Sequence, residues 1–141
     1  MNGFYDSMVS YARIPLDDLS QKDAVQILTA FQRRLWAVGS IPKDAYPAHE
    51  GITYESNLRE IPKIWAAFLH TAQRNALLEH EQCMVEGIER KLHALYGNLE
   101  QGNTKLAHRI AVNLSFSHVE SLSLNLLGLP GPPFVDPPPA E

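Results

Sequence analysis

The sequence predicts an all-α fold: a small bundle of three to four main helices around one long central helix, straight or kinked, with an extended proline-rich C-terminal arm. Three observations carry that expectation. The run from Ile61 to Tyr96 contains no glycine or proline besides Pro62 at its start and Gly87, and Gly97 closes it. The run from Ser20 to Gly39 places helix start and stop residues around one apolar stripe. Beyond Gly128, six of the last thirteen residues are proline, a residue that neither continues a helix nor enters a sheet interior. The chain therefore divides into one helical domain, residues 1–128, and an arm, residues 129–141.

Taken in order, residues 1–16 carry Phe4, Tyr5, Met8, Val9, Tyr11 and Ile14, with the pairs Phe4/Met8 and Tyr5/Val9 four apart. That spacing fits a short helix or docking arm ended by Pro15. Ser20, with Asp23 three residues on, forms a capping-box-like start, and Gly39 is the expected stop. Between them Ala24, Ile27, Leu28, Phe31, Leu35 and Val38 fall on one stripe, with Val25 and Trp36 on its flank. Residues 40–60 read as a linker with Pro42, Pro47 and Gly51, long enough that Tyr46, Ile52, Tyr54 and Leu58 are expected to pack it down.

In the central run, Ile61, Ile64, Trp65, Phe68, Leu69, Ala72 and Ala76 share a face. Leu77, Leu78, Met84, Val85, Ile88, Leu92, Leu95 and Tyr96 share another, rotated by about half a turn. Either the helix breaks between Arg74 and Leu78, or one helix buries opposite sides at its two ends. Residues 104–127 carry two signals. Ile110, Val112, Leu114 and Phe116 alternate with polar or small residues, as in a strand, yet the intervening SHVES contains no hairpin-turn residue. Asn103-Thr104 at one end and Gly128 with Pro130 at the other favour a helix, apolar on all sides and therefore buried among other helices or in an oligomer.

Composition narrows the function classes. The net charge is −4 and only Arg33-Arg34 and Arg90-Lys91 are adjacent basic pairs, so the basic stripe of a nucleic-acid interface is missing. No apolar run approaches the roughly 18 residues of a membrane span. The first residues lack the basic and apolar regions of a secretory signal. The lone Cys83 suits a reducing compartment, so a cytoplasmic location is expected.

Chemistry-bearing motifs are sparse. Glu79-His80-Glu81 with Cys83 is the densest group of ligand-type residues, but it supplies one short spacing where a zinc site needs two. No Glu-x-x-His, phosphate loop or nucleophile elbow occurs, His49-Glu50 has no third residue tied to it, and no cofactor is expected. Arg74-Asn75, with His80 six residues after the arginine, resembles the R-x(4–6)-H motif of the HEPN ribonucleases, which are also small, all-helical and usually dimeric. The resemblance covers those residues and the helical content. It implies that Arg74 would hold a phosphate while His80 did acid–base work.

The leading expectation is a protein–protein interaction module: a subunit, adaptor or inhibitor in a bacterial or phage-type assembly, self-associating through surplus apolar surface. The HEPN-like ribonuclease is the alternative, and a helical metal-binding protein the third reading. Candidate contact residues are Trp36, Tyr46, Tyr54, Phe134 and Val135. The last two are the large apolar side chains of the arm after Leu129, expected to dock it on a neighbour.

Overall fold

A computed structural model describes residues 21–41, 53–73 and 76–128. The expected all-α fold is the fold found. Helix α1 spans Ala24–Ser40, α2 Tyr54–Ala72 and α3 Glu79–Glu100. The last helix runs without interruption through α4 (Thr104–Asn113), a π-helical turn (Leu114–Val119) and α5 (Glu120–Leu126). Among the described residues there is no strand, so the alternation in residues 104–127 belongs to a helix. Helix α1 packs against α2 on one side and the whole last helix on the other, and α3 lies along the last helix.

Helix α1 starts later than Ser20. Asp23 is the cap: its Oδ1 accepts from the Gln26 N–H at 2.8 Å, and Gln26 Oε1 accepts from the Asp23 N–H at 3.0 Å. Two of the orphan donors of a helix start are thereby satisfied. Gly39 does not stop the helix. A Cβ there would sit 2.7 Å from Val112 Cγ2 and 2.8 Å from the His108 carbonyl, so the glycine exists to let α1 and the last helix touch. Ile27, Leu28, Phe31, Leu35 and Val38 of the expected stripe are fully buried.

Helix α2 begins inside the stretch expected to be linker. Thr53 and Ser56 cap it reciprocally, Thr53 Oγ1 accepting at 3.1 Å and Ser56 Oγ at 2.7 Å. Serine at the third position does here what glutamate usually does. Pro62 therefore lies mid-helix rather than at a start. A proline there removes the N–H that would bond the carbonyl four residues back, Leu58. The Tyr96 hydroxyl, reaching across from α3, donates to that same carbonyl.

The central run is two helices, not one. Gln73 adopts a left-handed conformation (φ 54°) and ends α2, its N–H bonded to the carbonyls of Leu69 and His70. The offset of the two apolar faces explains the break: a chain reversal turns both toward one core, which a straight helix cannot do. Trp65 Nε1 donates to Glu89 Oε2 at 3.1 Å, and the Tyr96–Leu58 bond lies in the same antiparallel register, centred near residue 77. Ile61, Ile64, Phe68, Val85, Ile88 and Leu95 are all fully buried, and Phe31, Trp65 and Phe68 stack with centroids 4.9 and 5.1 Å apart. Leu78 departs from its expected face. It occupies the cap position of α3 and is 60% exposed.

Two stability predictions follow from these contacts. Tyr96→Phe strands the Leu58 carbonyl and should cost about 1–3 kcal/mol in urea denaturation. With Pro62→Ala as well, the new N–H should supply the missing partner, and most of that loss should disappear. Equal costs in both backgrounds would show that the two residues are uncoupled. Gly39→Ala gains about 1 kcal/mol of helix propensity. It forces a methyl onto a backbone carbonyl, however, and overpacking of this kind costs typically 1–3 kcal/mol. Net destabilisation is expected, and a raised melting temperature would contradict the close approach.

Candidate functional site

Two ends of the bundle carry polar side chains placed by tertiary contacts. At one end α3 begins and the last helix finishes. The Glu81 carboxylate turns back to accept from the Leu78 N–H at 3.0 Å, so this residue is nearly buried and serves as a cap. Glu79 and Glu81 also place negative charge in the first turn of α3, where the helix dipole favours it. His80 is exposed, and its Nε2 lies 3.1 Å from Asn125 Oδ1 on the last helix. That bond ties the two helix ends together. Two residues to either side of it stand Leu78 and Leu127, the latter 55% exposed. Two exposed leucines thus stand at this end of the bundle, each two residues from the polar tie.

At the opposite end Tyr54, the first residue of α2, is buried, and its hydroxyl lies 2.8 Å from His108 Nε2. The two rings meet edge-on at 5.8 Å. Burial, reinforced by the neighbouring Glu55 carboxylate, pushes the Tyr54 phenol above its ordinary pKa. Burial pushes Tyr96 up more strongly, with Tyr54 adding to it. Both phenols are therefore held neutral as hydrogen-bonding groups. Between the two ends, Arg34 is buried in the α1–α2 seam, its Nη1 donating to Asn57 Oδ1 at 2.8 Å and pairing with Glu60. One member of the Arg33-Arg34 pair is thus structural.

The candidate residues fall in different places. Trp36 is half-buried on α1, and Tyr54 belongs to the core. Tyr46, Phe134 and Val135 lie outside the described residues, as do His49 and the segment 1–16. Arg74 and Asn75 also lie outside them, so of the ribonuclease-like motif only His80 is placed. Cys83 is exposed. The Glu79–Cys83 group points apart: Glu81 caps its helix, His80 reaches Asn125 and Cys83 faces outward. Among the described residues no three His, Cys, Asp or Glu side chains gather as a metal site would require. None of the described helices is long and apolar enough to cross a membrane.

Exposed apolar side chains are what the sequence reading missed. Leu78 was counted on a buried face, and Phe116, 59% exposed, was one of the alternating apolar positions. The cue for Leu78 was its place directly before the acidic first turn of α3, where a cap residue sits outside the helix. No family model, curated protein or solved structure matches this chain.

The raised phenol pKa values give a pH prediction. Folding keeps Tyr54 and Tyr96 protonated above the ordinary tyrosine value of about 10, so the unfolded chain releases those protons first. Their contribution is complete below that pH and declines as pH rises through the folded values. Urea midpoints measured from pH 8 to 11.5 should fall above about pH 10. Tyr96→Phe should flatten the fall, and an unchanged slope in that variant would place the titration elsewhere.

Proposed function

We propose that this chain is a protein–protein interaction module, a self-associating subunit, adaptor or inhibitor of a larger bacterial or phage-type assembly. The observation that supports this reading is the pair of exposed leucines, Leu78 and Leu127, on one end of the bundle beside the His80–Asn125 tie. The two opposed apolar stripes of the sequence lend it no support, because the chain reversal at Gln73 turns both inward. Large apolar groups held in water at fixed positions are the usual mark of a contact surface.

The scale of the contact follows from area. In a twofold contact a patch meets its own copy, so four leucines lose their exposed surface together. At roughly 1.5–3 kcal/mol per fully buried leucine, their exposed portions supply on the order of 4–6 kcal/mol. The entropy of association offsets much of that. Self-association is therefore weak and concentration-dependent, and a partner with a larger complementary surface competes with it.

Sedimentation equilibrium from low micromolar to millimolar concentration tests the reading. A monomer–dimer equilibrium is expected, and Leu78→Asp or Leu127→Asp should weaken it at least tenfold with helical circular dichroism unchanged, since both side chains are exposed. A clean monomer across the range, or variants that associate like the parent, would overturn it.

A further inference from the structure

A second exposed ridge runs along the last helix, and its pattern matches the chain's own arm. Lys105 and Arg109 are exposed and about 40° apart on α4, and Phe116, exposed in the π-helical turn that follows, stands seven residues beyond Arg109. The ridge reads aromatic, arginine, lysine going back from Phe116 toward the start of α4. The arm, residues 129–141, lies outside the described residues, and its sequence reads Phe134-Val135, Asp136, then Glu141 at the terminus. It repeats the same order with the charges reversed.

We propose that the arm is the occupant of this ridge, folding back along its own last helix so that Phe134 and Val135 cover Phe116. Chain reach fits. Phe116 stands twelve residues before Gly128, about 18 Å along an α-helix. Phe134 stands six residues after it, about 19 Å along the polyproline conformation that proline-rich chain favours. The reversal falls at Gly128, whose φ of +72° is a left-handed turn open to glycine. Onward from Phe134, Asp136 lies about 6 Å further and Glu141 about 22 Å further. Arg109 and Lys105 lie about 10 and 16 Å beyond Phe116. Each mismatch is about 4–6 Å, within the span of a long basic side chain. The prolines also lower the entropy lost on docking. The inference stands independently of the self-association reading, which uses Leu78 and Leu127.

Nuclear Overhauser spectroscopy on the full chain tests it, using an equimolar mixture of isotope-labelled and unlabelled protein so that contacts within and between chains separate. Contacts between Phe116 and Phe134 or Val135 within one chain are expected, together with slowed amide exchange at Val135 and Asp136. Phe116→Ala, at an exposed position, should return that exchange to the unprotected rate. Asp136→Arg should weaken docking several-fold, and adding Arg109→Asp should restore it. Contacts only between chains, no contacts at all, or a charge swap without rescue would overturn the proposal.

Discussion

The close contact of α1 with the last helix at Gly39 is the constraint on which the remaining packing depends. With only hydrogen at that position, the backbones meet at a distance no Cβ allows. From that contact α1 runs along the last helix to a second lock. Gln32 Nε2 donates to the Ser115 carbonyl at 2.8 Å and to Glu120 Oε2 at 3.0 Å, while Ser115 Oγ donates to the Gln32 carbonyl at 3.0 Å. Ser115 lies in the π-helical turn. Such a turn shifts the backbone ladder by one residue, and a side chain from the facing helix compensates a carbonyl within it. One lock is steric and the other polar. Together they fix both the rotation and the register of the pair.

Helix α2 attaches to this pair by a different device. The stacked Phe31, Trp65 and Phe68 supply apolar area, and Arg34 with Asn57 and Glu60 fixes orientation. Truncating Asn57 or Glu60 would leave a buried guanidinium short of acceptors, which costs more than the pair itself contributes. Between α2 and α3 the work falls to long side chains, the Trp65 indole and the Tyr96 phenol. Pro62 belongs to the same arrangement, since the carbonyl it leaves bare is the one that Tyr96 binds.

Much of the fold was legible in the sequence because helix periodicity and helix breakers are local signals. The stripe of α1, the change of apolar face between Arg74 and Leu78 that accompanies the break at Gln73, and the helical state of residues 104–127 all follow from them. What was hidden depends on a second element. Gly39 reads as a stop because its steric partner lies more than 60 residues away. Pro62 reads as a helix start because proline normally sits there, and only Tyr96 makes its interior position tolerable. Residues 53–60 read as linker because Thr53-x-x-Ser56 is a weak form of the capping box. The alternation in the last helix has a physical origin too. This helix is covered on two sides, so Ser115 and Ser121 are buried next to Leu114 and Leu122 and imitate a strand. Of the surface, the exposure of Leu78 was not legible, because it depends on where a helix begins.

The distribution of polar and apolar groups ties architecture to role. Arg34, Asn57, Glu81, Ser115, His118 and Ser121 are buried, while Leu78, Phe116 and Leu127 are left in water. A chain selected for stability alone would exchange several of these, because well-packed apolar groups often match or exceed buried ion pairs. Buried polar side chains act instead on orientation: Gln32 with Ser115, and Arg34 with Asn57, pair groups on facing helices that a change of register would pull apart. Rigid helix ends follow from that, and rigid ends hold Leu78 and Leu127 at fixed separation beside the His80–Asn125 tie. An apolar patch displayed on a preorganised frame loses little entropy when it is covered. Polar burial in the interior and apolar exposure at the surface thus belong together: the interior polar contacts hold the helix ends at which Leu78 and Leu127 are exposed.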